Sequence, residues 1–138
     1  MYPIELVKPM AKDLTDFGFE SLNSAEEVDG LLSQKEGTVL LVVNSVCGCA
    51  AANARPAAKM ALQHGAKPNK AVTVFAGVDR EAVDKVREYL LPYPPSSPAI
   101  ALFKDGNLVH MIERHHIEGR SAQMIAENLV SAMNVHCQ

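Results

Sequence analysis

The chain reads as an α/β domain built on one mixed sheet, and three features of the sequence carry that expectation. Thr38 to Asn44, TVLLVVN, and Ala71 to Ala76 are apolar and rich in β-branched residues, which suits strands covered by helices on both faces. Helical patterns separate these runs, so their connections are crossovers and the strands they join run parallel. Late in the chain, Pro98 to Lys104 and Leu108 to Glu113 flank the turn residues Asp105-Gly106-Asn107. That pattern predicts a hairpin, which adds an antiparallel strand at the sheet edge.

The elements follow in order. Residues 4 to 16 have the periodicity of a short amphipathic helix interrupted at Pro9, and residues 1 to about 17 form a helical extension ahead of the sheet. Gly18 to Leu22 alternates like a brief strand. Ser24 with Glu27 is a capping-box pattern that starts a helix reaching about Gln34, with Gly37 as its stop. Cys49 to His64 is Ala-rich and helical, kinked at Pro56 and ended by Gly65. Asp79 is placed to cap a helix over 80–91, after which Pro92, Pro94, Pro95 and Pro98 stop helical structure. A last helix spans about Ser121 to Asn134, then the chain closes. Met60, Leu62, Met124, Ile125, Leu129 and Met133 fall at spacings expected of buried helix faces.

Composition narrows the function classes. A chain of 138 residues fits a single domain, 1–138, and buries roughly two thirds of its unfolded surface without a disulfide staple. The formal net charge of -3, with Lys and Arg scattered, offers no basic face and argues against nucleic acid. No apolar run approaches the ~20 residues of a membrane-spanning helix, and MYPIELVKPMAKDL lacks the apolar core of an export signal. A cytoplasmic location is expected. Three cysteines in a reducing compartment point to reactive or metal-binding thiols.

Cys47-Gly48-Cys49 sits where an apolar strand gives way to a helix, at the carboxyl end of the sheet where α/β proteins place their sites. A helix N-terminus favours thiolate over thiol, so Cys47 is the expected nucleophile and Cys49, in the first turn, the expected resolver. A Cys-x-Cys ring is one residue shorter than Cys-x-x-Cys, so a strained, readily reduced disulfide is expected, with Gly48 relieving part of the strain. Two other readings of the pair stand beside this one. The thiols could be soft ligands of a metal-binding or metal-delivery module, although Cys137, His64, His110, His115, His116 and His136 supply no second paired spacing. They could also belong to a catalytically idle interaction domain, as small buried apolar residues.

The run NSVCGCAAANARPA, Asn44 to Ala57, resembles the signature of the bacilliredoxin family, as do the LVKPM segment, Arg55-Pro56 and SSPAIALFKDG from Ser96 to Gly106. The resemblance implies a thioredoxin-like fold: a central mixed sheet with helices on both faces, ending in a hairpin and helix. It implies that Pro98 forms a cis peptide bond beside the cysteines, with Ser97 presenting backbone groups to a substrate disulfide. It also implies removal of bacillithiol from S-bacillithiolated proteins, with Cys47 attacking and Cys49 resolving, and isomerase activity by the reverse chemistry. Bacillithiol is then a co-substrate maintained by its own reductase system, and no bound cofactor is needed. The chain departs from ordinary thioredoxin in having no Trp and, at Leu40, Leu41 and Val42, no carboxylate in the strand before the cysteines.

Three features are set apart from the site. Cys137 reads as an exposed thiol near a fraying end. His115 and His116, placed on a strand, point to opposite faces and into solvent. Arg55 is eight residues beyond Cys47 and is expected to serve the surface or the structure, unless the kink turns it toward an acidic thiol.

Overall fold

The computed structural model describes residues 2–137, and its five strands form one sheet in the order β1-β3-β2-β4-β5. Strand β2, Thr38–Asn44, is central and buried at every position. It pairs in parallel with β3, Lys70–Phe75, and antiparallel with β4, Ala99–Lys104. Strand β1 is only Glu20–Ser21, parallel to the far side of β3, and β5, Asn107–Ile112, closes the other edge against β4. The expected hairpin is formed by β4 and β5, with β4 inside the sheet and β5 the antiparallel strand at its edge. Strand β4 is apolar on both faces, so burial draws it inside, while the more polar β5 takes the edge.

Alternate residues of the strands feed two cores. Leu40, Val42, Ile100 and Leu102 face one, which is completed by α1 (Ile4–Thr15), α3 (Arg55–His64) and α6 (Ala122–His136). Leu41, Val43, Val72 and Phe103 face the other, against α2 (Ala25–Leu32) and α4 (Arg80–Tyr89). Small residues, Ala57, Ala58 and Ala61, let α3 lie close to the sheet, while Met60 and Leu62 are only half-buried. Met124, expected inside, is 57% exposed, because Ile125 and Leu129 take the inward positions of α6.

Local chemistry explains most element ends. The Ser24 side chain accepts the Glu27 amide at 3.1 Å, and the Glu27 carboxylate reaches back to the Asn23 amide. Ser121 caps α6 in the same manner, accepting the Met124 amide at 3.1 Å. Asp79 holds the N-cap position of α4 without capping it; its carboxylate instead takes the Phe75 amide and the Asn23 side chain. Asp105 and Gly106, with φ of 52° and 83°, form the tight turn of the hairpin.

Two helix expectations change. Helix α1 runs through Pro9 unbroken, since the carbonyl deprived of its partner belongs to exposed Glu5, which water can satisfy. The helix after the cysteines accommodates Pro56 through a π-helical turn, Ala50–Ala54, in which the Arg55 amide bonds to the Ala50 carbonyl. Downstream of β5, the chain forms a short helix α5, Arg114–Ile117, that the sequence reading did not include. Glu113 caps it, its side chain accepting the His116 amide while the His116 ring accepts the Glu113 amide at 3.2 Å. His115 and His116 thus lie on a helix with ring centroids 4.0 Å apart, not on opposite faces of a strand. Among the described residues no helix is long and apolar enough to cross a membrane.

Candidate functional site

Strand β2 delivers the chain to Ser45 and Val46, and a helix opens immediately after Cys47. The Cys47 carbonyl accepts the Ala50 and Ala51 amides at 2.9 and 3.3 Å, and its Sγ receives the Cys49 amide at 3.4 Å. Cys47 thus occupies the place of a capping Ser or Asp, where unpaired amides and the helix dipole favour negative charge. Its own amide is held by Ser45 Oγ at 2.9 Å. Cys47 and Cys49 are joined as a disulfide with Cα atoms 5.3 Å apart. Both are half-buried, and Cys49 packs against the core shared by α3 and α6. Gly48 between them is exposed, and an added Cβ would meet nothing within 4 Å. Its backbone is not left-handed, so no close neighbour or unusual conformation demands glycine there.

A buried polar cluster fixes this turn from behind. The Asn44 amide group donates to the Met10 carbonyl at 3.1 Å, and its Oδ1 accepts the Ser45 amide at 2.8 Å. Arg55, 5% exposed, donates Nη1 to Asn44 Oδ1 and to the Ser45 carbonyl, each at 3.0 Å, and pairs with Asp13 at 3.4 Å. Burial lowers the Arg55 pKa and the Asp13 carboxylate opposes that shift. Arg55 is therefore committed to structure, locking the cysteine turn to α1, and is not turned toward a ligand.

Pro98, also expected at the site, is buried, and Ser97-Pro98 is a cis peptide bond. Half-buried Ser97 lies on the same cavity as Cys47, about 310 Å³ in volume. Its carbonyl is already engaged: Arg114 donates Nη1 to it at 3.1 Å and Nη2 to Cys47 Sγ at 3.2 Å. The Arg114 Nε also contacts Glu118. Asn53, on the π-helical turn, donates to the Ile117 carbonyl at 3.0 Å and to the Arg120 carbonyl, tying α5 to the cysteine helix. Arg114 is the residue the sequence reading missed. It is 67 positions from Cys47, on a helix of four residues too short for a periodic signal, so nothing local marks it.

The chain that carries this arrangement, a cysteine pair at a helix start and a cis-proline loop, is similar to proteins of known kind. The family described as Disulphide isomerase matches residues 2–137. The Bacilliredoxin of Cytophaga hutchinsonii is 60% identical over 129 residues, covering 94% of this chain and 95% of that protein. Bacilliredoxin BH1716 of Halalkalibacterium halodurans is 50% identical, covering 99% of this chain and 95% of its own. The chain belongs to the bacilliredoxin family. Among solved structures, the thioredoxin-like domain of Arabidopsis NCP superposes with a TM-score of 0.59 at 15% identity, covering 88% of this chain and 80% of that one. Oxidised thioredoxin O2 from Arabidopsis thaliana gives 0.54 at 16% identity, covering 86% and 96%. The bacilliredoxin chain thus has the thioredoxin fold, and it is a thiol-disulfide oxidoreductase.

Glu113, His115 and His116 are the group of three potential metal ligands among the described residues, and it includes neither Cys47 nor Cys49. The soft-metal reading of the thiols gains no third ligand from it. Cys137 differs from its expected state. It ends α6 half-buried, its amide bonded to the Met133 carbonyl at 2.8 Å. Burial pushes its thiol pKa up, against smaller opposing effects of Thr38 and Lys104.

Proposed function

We propose that this protein removes bacillithiol from S-bacillithiolated proteins in the cytoplasm, working as one thioredoxin-like unit with no bound cofactor. The Cys47 thiolate attacks the bacillithiol sulfur, forming Cys47-S-S-bacillithiol and releasing the protein thiolate, which takes a proton. The Cys49 thiolate then attacks Cys47 Sγ, closing the internal disulfide and releasing bacillithiol. Two electrons from thiols, bacillithiol itself or a partner reductase system, reopen the pair. The same exchange run toward protein disulfides gives isomerase activity.

The observation that carries this reading is the environment of the Cys47 sulfur. It lies at a helix start with the Cys49 amide at 3.4 Å and the Arg114 guanidinium at 3.2 Å, donors suited to a thiolate. Cys49 packs against the core, which favours Cys47 as the attacking thiol and Cys49 as the resolver. Ser97 lines the cavity with Cys47 and leads into cis-Pro98, and the two are suited to shape the approach of an extended substrate. Exposed Gly48 leaves that approach open.

The test uses a bacillithiolated protein incubated with the wild type, Cys47→Ser and Cys49→Ser. Wild type releases bacillithiol, Cys49→Ser accumulates the Cys47 adduct, and Cys47→Ser is inactive. Release by Cys47→Ser at the wild-type rate would remove the role given to this residue.

A further inference from the structure

The cavity beside Cys47 has a charge character that the exchange step alone does not use. Its walls include Tyr2, Gly77, Arg87, Ser97 and Arg114, and no Asp or Glu lines it. Arg114 is balanced by Glu118 and the Ser97 carbonyl. Arg87, from α4, is not balanced. The side chain is half-buried, its Nε is buried without a hydrogen-bond partner, and among the described residues no carboxylate pairs with its guanidinium. Leaving such a charged donor unmet is costly, whereas an arginine on the outer face of α4 would be solvated freely.

The same cavity wall includes a close approach of Tyr2 to Gly77. Gly77 has a φ of 84°, and a Cβ there would come within 2.6 Å of the Tyr2 ring. Glycine thus lets the Tyr2 ring lie against the chain at the cavity mouth. A volume near 310 Å³ suits a small molecule, and the planar fork of a guanidinium matches a carboxylate.

We propose that this cavity is a carboxylate subsite in which Arg87, with Arg114, holds an acidic group of the small thiol whose sulfur is exchanged at Cys47. The proposal rests on the exchange reading above and adds to it a reason for thiol selectivity: an anionic thiol is held in place while a neutral one is not. Arg87 binds the carboxylate and touches no reacting atom. Arg114 serves both the carboxylate and the sulfur.

The test uses one reporter protein with a single surface cysteine, carried as a mixed disulfide with mercaptosuccinate or with 2-mercaptoethanol. Wild type should have the higher kcat/KM on the mercaptosuccinate adduct. Arg87→Gln should cut that preference about tenfold, mainly through KM, and Arg87→Lys, which keeps the charge, should restore part of it. Equal rates on both adducts with wild type, or an unchanged preference in Arg87→Gln, would overturn the subsite while leaving exchange at Cys47 intact. Release by Cys47→Ser as fast as by wild type would instead remove the exchange reading, and the subsite with it.

Discussion

Cys47 begins a helix and Cys137 ends one. Both are half-buried, yet their surroundings push them in opposite directions. Cys47 lies where helix amides converge, with a guanidinium 3.2 Å from its sulfur. Cys137 lies at the carbonyl end of α6, where the dipole disfavours an anion and burial raises the thiol pKa. Residue type is the same at the two positions. What differs is helix polarity and one neighbour brought in from another part of the chain, and in the proposed function these decide which thiol does chemistry.

The comparison breaks most visibly by deletion. Cys47→Ser should lower thiol release at least ~100-fold, whereas Cys137→Ser should stay within about twofold of wild type, measured as initial rates on a bacillithiolated protein. Comparable losses in both would erase the distinction.

A smaller effect isolates the guanidinium. A neighbouring positive charge favours the thiolate, so Arg114→Gln should raise the Cys47 pKa by about one unit. Alkylation of the reduced protein near pH 6 should then slow about tenfold and converge on wild type well above the pKa. Arg114→Lys, which keeps the charge, should recover much of the rate. A pH profile unmoved by Arg114→Gln would show that the helix start alone activates Cys47.

Asn53→Ala tests how α5 is held in place. Losing its two bonds to α5 and the following turn should cost about 1–2 kcal/mol in denaturant unfolding and move the Cys47 profile partway toward that of Arg114→Gln. Loss of stability with an unchanged profile would mean that Arg114 is positioned without Asn53.

The smallest effect belongs to Cys137. Its folded pKa is raised, so the folded state retains the proton that the unfolded state loses first. Its stabilisation is full below the unfolded thiol pKa and fades as pH rises through the folded one. Thermal melts of wild type should therefore lose slightly more stability than Cys137→Ser between pH 8 and pH 10. Parallel curves would contradict the raised pKa.

How much of this was legible in the sequence depends on the distance over which each feature is decided. TVLLVVN, the Ser24 cap and the Asp105-Gly106 turn are local, and each lies in the structure where its residues implied. The Cys47-Gly48-Cys49 motif at a strand-to-helix junction is local too. Helix α5 is too short for periodicity, and Asp79 spends its carboxylate on the chain before α4 because Asn23 and the Phe75 amide are near it in space. Arg55 serves the structure, the favoured expectation, but its partners Asp13 and Asn44 come from α1 and β2 and no local pattern names them. Arg114 and Arg87 meet at Cys47 only through the packing of α4 and α5 around the sheet end.

The central claim is that Cys47 is the activated thiol, and a titration of both cysteines in one reduced chain tests it most directly. Alkylation rates of Cys47 and Cys137, read by peptide mass spectrometry from pH 5 to pH 10, should give Cys47 a midpoint below the ordinary ~8.5 of a free thiol and Cys137 one above it. A Cys47 midpoint at or above that of Cys137 would contradict the account.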